Sequence, residues 1–273
     1  MSKYIEKVEK NIFPLVRLRN IVIFPGLPTS VELAEEEDIA SVNAAIEADN
    51  QVFVVTYKDS NFETKEIYTL GIVAKVKQII KLPDNHLRVI LEAHNRAELS
   101  TIEYASDCAY AEVFVRSVSL TDNGGLKAEL MMRDAVKQFQ EMLKYLPKIS
   151  NEIITAIQVI KDPGLLSDFI AANVIYNITN RQELLSEINP IVRLEKLLLA
   201  MEKEKILLES EHEVHAKVKQ RIDQNQREYF LREQMKVIQN ELEGAPQGEQ
   251  MDNHHARRHE ACLRGSYARQ RQV

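Results

Sequence analysis

The 273-residue chain has no tryptophan and only two cysteines, Cys108 and Cys262. Two thiols so far apart in sequence offer neither a disulfide framework nor the paired spacing of a zinc site. Glycine is also scarce. The eight glycines stand at 26, 71, 124, 125, 164, 244, 248 and 265, and no two are five apart. That excludes the Gly-x4-Gly-Lys-Ser/Thr loop, whose backbone N–H groups cradle phosphates. No apolar run reaches the ~18 residues that a membrane span requires. The start, MSKYIEKVEK, is charged and amphipathic, with no apolar signal core. A reducing cytoplasm is the expected location, and no membrane partner is expected. The net charge of −6, from 35 Lys+Arg against 41 Asp+Glu, gives no long-range attraction for nucleic acid or an anionic surface.

What is present divides into two kinds of pattern. Residues 12–118 read mostly as strands: IFPLVRL and IVIFPG near the start, QVFVVTYK at 51–58, GIVAKVKQIIKL at 71–82, HLRVILEAHNRAEL after a PDN turn, and YAEVFVRSV at 110–118. In the last of these Val113 and Val115 alternate with Glu112, Phe114 and Arg116. One helix interrupts them at 36–48, with Ile39, Val42 and Ile46 at helical spacing. At TDNGG, 121–125, the period changes from two to about 3.6. Helices then follow over 126–146, from a capping Ser150, over PGLLSDFIAANV and over RQELLSEI. Asn189 and Pro190 open the last and longest, which runs from about 191 to 243 and spans roughly 80 Å at 1.5 Å per residue. Its apolar positions 191, 194, 198 and 201, and again Leu231, Met235, Ile238 and Leu242, read as two docking ends joined by a charged, solvated shaft. The tail 244–273 holds five Arg, no Lys and three of the seven histidines, without apolar periodicity, and is expected to be disordered.

These blocks occur in the order of a known family. FPLVRLRNIVIFPG resembles the opening signature of the Lon (endopeptidase La) ATP-dependent proteases. YTLGIVAKVKQIIKLPDNHLRVILEAHNRAEL resembles their second β block. LLSDFIAANV, RQELLSEINPIVRLEKLL and QREYFLREQMKVIQNELEG resemble their helical part. The likeness runs from residue 12 to 243. Arg17 stands where the family often has proline, and Ala93-His94 replaces the commoner Glu-Gly. The resemblance implies an α+β fold: a β-rich, PUA-like pseudo-barrel over 1–120, a helical bundle over 121–189, and a long helix over 190–243 leading toward an ATPase module. It implies a region that recognises unfolded or damaged proteins and assembles with other Lon subunits, as a homo-hexamer in the whole family. ATP and Mg2+ belong to the whole enzyme, with no cofactor expected in this chain. The family's Walker A loop and its Gly-Pro-Ser-Ala-type nucleophile turn have no counterpart in the sequence, so neither ATP hydrolysis nor peptide cleavage is expected of it. The Arg-rich, Lys-free tail reads as out-of-frame translation, a truncation before the motor.

Apolar loop tips on a rigid β scaffold suit recognition of unfolded segments, and Leu27, Pro28, Leu82 and Pro83 are the expected substrate contacts, with Phe24 folded back into the core. Tyr229, Phe230 and Met235 are the expected contacts to a neighbouring subunit or ring. His255, His259 and Cys262 lie four and three residues apart, but an unselected tail accounts for them without a metal. Cys108 reads as a buried or half-buried structural thiol. Two other functions remain open: a free-standing holdase or adaptor, and an RNA-binding PUA-like protein. The second is opposed by 13 Lys+Arg against 18 Asp+Glu over residues 1–120.

Overall fold

The computed structural model describes residues 4–58, 65–105, 108–120, 125–146 and 150–243. Six strands and six α-helices follow in the order β1 (Tyr4–Leu18), β2 (Pro28–Leu33), α1 (Glu36–Glu47), β3 (Gln51–Thr56), β4 (Leu70–Lys81), β5 (Leu87–Tyr104), β6 (Ala109–Leu120), α2 (Gly125–Met142), α3 (Asn151–Val159), α4 (Pro163–Val174), α5 (Ile178–Ser186) and α6 (Pro190–Glu243). Two compact units result, Met1–Glu213 and Val214–Val273.

The sheet order is β2-β5-β4-β3-β1-β6, and β5 also pairs with β6. That last pairing closes five strands into a ring, with β2 outside it on the edge of β5. The β1–β3 pair is parallel and the others are antiparallel. β5 serves three neighbours, β2, β4 and β6, because it is 18 residues long and irregular. Register shifts fall at Val73/Ala74 and Val76/Gln78 on β4 and at Leu99/Thr101 on β5, and such bulges bend a strand enough to close a small barrel. A Cβ on Gly71 would lie 2.3 Å from the Val54 carbonyl oxygen, so β3 and β4 meet there at a distance that only glycine permits.

Alternate residues of each strand enter different cores, as a period of two requires. Leu15, Phe53, Val55, Val73, Ala111 and Val113 form one cluster. Val16, Leu18, Val52, Val54, Ile72, Ala74 and Leu91 enter the other, which continues without a break into Phe139, Leu166, Ile170, Leu184, Leu194 and Met201 of the helices. The sheet therefore has one face packed on itself and one face covered by helices.

Most element boundaries follow the sequence pattern. Asp162 caps α4 by accepting from the Leu165 N–H at 2.7 Å, and Asn177 caps α5 through the Asn180 N–H at 3.0 Å. Asn189 accepts from the Ile191 N–H at 3.0 Å as Pro190 opens α6. Ser150 sits at the N-cap of α3 in extended geometry, but its side chain makes no capping bond. IVIFPG is not a strand: residues 21–24 have no ladder, and Val22, Ile23 and Phe24 are buried as irregular chain. Thr56 Oγ1 donates to the Ile21 carbonyl at 2.6 Å and the Gly26 N–H to Ala93 O at 2.9 Å, which satisfies that backbone without a sheet. The tail and most of TDNGG lie outside the described residues, as does the expected disorder of 244–273.

Candidate functional site

The two apolar loop tips sit at opposite ends of β2. Pro28 is opposite Glu92 and Leu33 opposite Leu87, while Leu82 and Pro83 form the β4–β5 turn just before Leu87. Five residues at ~3.4 Å each separate the two ends, so the tips lie roughly 17 Å apart and do not form one contiguous patch. Pro28 and Pro83 are exposed, Leu27 and Leu82 half-buried. Phe24 is 1% exposed, folded into the core as expected. A positive φ at Asn85 closes the Leu82/Pro83 turn.

A concavity that the sequence does not announce lies among α2, α3 and α4. It encloses about 690 Å³. Met132, Val136, Ile157, Ile160 and Leu166 give it apolar walls, and the exposed Glu129, Arg133, Gln158 and Lys161 also line it. Arg133 bonds Glu129 one turn back at 2.6 Å. An open, apolar-walled groove with polar groups beside it can take side chains of an extended or helical segment while its backbone stays hydrated. Each wall residue is ordinary core spacing in its own helix, so the groove is legible only once three helices are assembled.

Behind these surfaces a buried ionic cluster locks strand to helices. Arg96 on β5 donates through Nη1 and Nη2 to both carboxylate oxygens of Asp168 on α4, at 3.0 and 2.7 Å, and through Nε to Leu185 O at 2.8 Å. Arg193 on α6 donates to the same carboxylate at 2.8 Å, and to the carbonyls of Glu187 and Ile188 at 2.8 and 3.0 Å. Two guanidiniums thus share one carboxylate. Burial pulls Arg193 down to about 10, with Asp168 opposing that shift and Arg96 adding to it. Gln182 adds a bond to Leu70 O at 2.8 Å. No contiguous motif marks this cluster, because its members are 72 and 25 positions apart. The available signal was a charge inside an apolar frame, as in LLSDFIAANV and PIVRLEKLL.

Tyr229, Phe230 and Met235 are exposed on α6, at 68%, 61% and 61%, and Leu231 and Ile238 are exposed with them. Within the second unit this end of the helix is not docked. The other expected end is: Leu194 and Met201 are fully buried and Ile191 is buried, while Leu198 is half-buried and its neighbour Leu197 takes the fully buried place. Cys108 is a free, half-buried thiol. Among the described residues no helix is long and apolar enough to cross a membrane, and no group of His, Cys, Asp and Glu is placed to hold a metal ion. His255, His259 and Cys262 lie outside those residues.

Two solved structures share this architecture. The N-terminal domain of a Mycobacterium avium complex Lon protease matches with a TM-score of 0.56 at 16% identity, covering 70% of this chain and 98% of that one. A Lon N-terminal domain protein from Xanthomonas campestris matches at 0.52 and 17% identity, covering 69% and 98%. They define the class of fold, a closed β-barrel followed by a helical bundle. A model of the ATP-dependent protease La (LON) substrate-binding domain matches residues 12–203, and the chain belongs to that family. The Lon protease of Brevibacillus choshinensis is 33% identical over 240 residues, 87% of this chain and 31% of that protein. The Lon protease of Escherichia coli K12 is 31% identical over 241 residues, 87% and 30%. The chain thus spans about three-tenths of the length of these relatives.

Proposed function

We propose that this chain grips exposed apolar segments of unfolded or damaged proteins for a Lon-type ATP-dependent protease. The observation that carries this is the open apolar groove among α2, α3 and α4, about 690 Å³ in volume, inside the stretch matched by a substrate-binding family. A misfolded client differs from a folded protein chiefly in displaying apolar side chains, and a groove of this kind recognises them with little regard to sequence. Leu27 with Pro28, and Leu82 with Pro83, act as two separate auxiliary contacts. Residues 1–120 and 121–189 serve as the gripping subdomains, and 190–243 as the arm whose Tyr229, Phe230 and Met235 meet another subunit or ring of a cytoplasmic assembly. The chain itself neither turns over nucleotide nor cleaves peptide bonds.

The test is fluorescence anisotropy of labelled, chemically unfolded casein with the purified chain. Val136→Glu, which places a charge in the groove wall, weakens binding about tenfold or more, equivalent to at least about 1.4 kcal/mol. Leu27→Ser with Leu82→Ser weakens it two- to fivefold. Unchanged affinity in the groove variant, with far-UV circular dichroism intact, overturns the groove; unchanged affinity in the tip variant removes the tips. ATPase and casein-cleavage assays on the same preparation are expected to stay at background.

A further inference from the structure

β1 is longer than the barrel needs. β3 joins it only from Leu15 onward, whereas β6 pairs with it all the way from Tyr4 to Pro14. Over residues 4–11, among the described residues, β1 therefore has a partner on one edge only. Residue 5 and residues 7–12 are exposed, and the three apolar side chains among them are largely in solvent: Ile5 at 60%, Val8 at 51% and Ile12 at 61%. An open edge offers backbone N–H and C=O groups that a further extended strand completes. Over Tyr4–Lys7, where β6 has run past its pairing with β5, the ribbon has only two strands and is marginal alone.

The side chains state which strand fits. The run Ile5-Glu6-Lys7-Val8-Glu9-Lys10-Asn11 is self-complementary when turned antiparallel about Val8. Glu6 then stands opposite Lys10 of a second copy, Lys7 opposite Glu9, Ile5 opposite Asn11, and Val8 opposite Val8. Every charge meets its opposite, and the two-fold axis doubles each pair. Moving the centre half a residue or one residue either way puts Lys7 opposite Lys10, Glu6 opposite Glu9, Glu9 opposite itself, or Lys7 opposite itself. Each of these sets like charges across the ladder, so the register centred on Val8 is favoured over its immediate neighbours and makes the most ion pairs. The same charges penalise a foreign strand that lacks the complementary pattern, as guarded edges do.

We propose that two copies of this chain associate through antiparallel β1–β1 pairing centred on Val8, giving a sheet that runs continuously β6–β1–β1–β6 from one copy into the other. The surface is small and its selectivity is ionic. The dimer is therefore weak, reversible and sensitive to salt, since exposed pairs are screened within a Debye length of roughly 10 Å at 0.1 M.

Lys7 and Glu9 permit a clean test, because both are exposed and their ion pair is with each other. Sedimentation velocity of the full chain at low ionic strength is expected to show a monomer–dimer equilibrium. Lys7→Glu alone and Glu9→Lys alone each set like charges opposite twice, and each is expected to weaken dimerisation at least tenfold. An equimolar mixture of the two variants restores Glu–Lys pairs across the axis and is expected to recover the dimer as a heterodimer. Far-UV circular dichroism checks that each variant is folded, and the two opposite substitutions serve as independent probes. A chain that stays monomeric at about 200 µM overturns the proposal. So does undiminished dimerisation in both variants, which places the contact on another surface such as the exposed apolar residues of α6. So does a mixture that remains monomeric.

Discussion

Asp38 carries an electrostatic cost within the fold. Its carboxylate is 3% exposed in the first turn of α1, accepting from the Arg17 backbone N–H at 3.1 Å and from Arg17 Nε at 3.2 Å. Burial outweighs that pairing and pushes the carboxyl from its ordinary 3.8 up to about 6. The folded chain therefore holds this proton more tightly than the unfolded chain does between those two values. Asp38 adds stability as pH falls from about 6 to about 4, and it weighs against the fold once ionised above 6. The neutral isostere Asp38→Asn removes this dependence. In urea titrations the stability of the native chain relative to the variant is expected to improve by about 2–3 kcal/mol between pH 7 and pH 4. A constant difference across that range would place the Asp38 carboxyl near its ordinary value. Arg17 thus ties β1 to α1 rather than lying free on the surface.

The elements differ in how much of their stability is their own. In α6 the residues Leu194, Leu197 and Met201 are fully buried, and Glu204 accepts from the N–H groups of Tyr176 and Asn177 at 3.2 and 3.1 Å. From Val214 to Glu241 every described residue is exposed except Glu233, which is half-buried. A helix without a buried face relies on propensity and i,i+4 pairs, worth ~0.2–0.5 kcal/mol each. Amide exchange followed by mass spectrometry is expected to show residues 214–241 exchanging at least a hundredfold faster than 190–205; equal protection would mean that a partner covers the exposed stretch. Legibility in the sequence follows the same division. β3, β4, α1 and the start of α6 were plain because a buried face imposes a period on the residues that make it. β2, PTSVEL, has no legible period because only Val31 and Leu33 are buried, and the first half of β1 has none because neither of its faces is buried. IVIFPG departs in the other direction: its apolarity records burial, and apolarity alone does not specify strand pairing. The loop tips were visible as tips, but their separation along β2 depends on pairings that only the fold establishes.

At the scale of the first compact unit the question is whether barrel and helices unfold as one body. Two features bind them. One hydrophobic cluster runs from Val54, Ile72 and Leu91 of the sheet to Leu166, Ile170 and Leu184 of the helices. Within the same contact Arg96 of β5 and Arg193 of α6 converge on Asp168 of α4. Buried charges of this kind are costly to desolvate, and burial holds Arg193 below its ordinary range, so much of the attraction within the cluster offsets that cost. Removing the shared carboxylate is another matter, because it strands two buried guanidiniums with no counter-ion. Asp168→Ala is expected to lose about 3–5 kcal/mol. Where the loss appears is the sharper outcome. In the native chain, exchange-derived opening free energies of β4 and β5 should equal those of α4 and α5, as in one cooperative unit. In Asp168→Ala the helical segments should open first, while β3 and β4 keep the protection that Leu15, Phe53 and Val73 provide from the opposite face. A uniform loss across sheet and helices would show instead that the apolar cluster alone couples them, with the ionic cluster contributing only to overall stability.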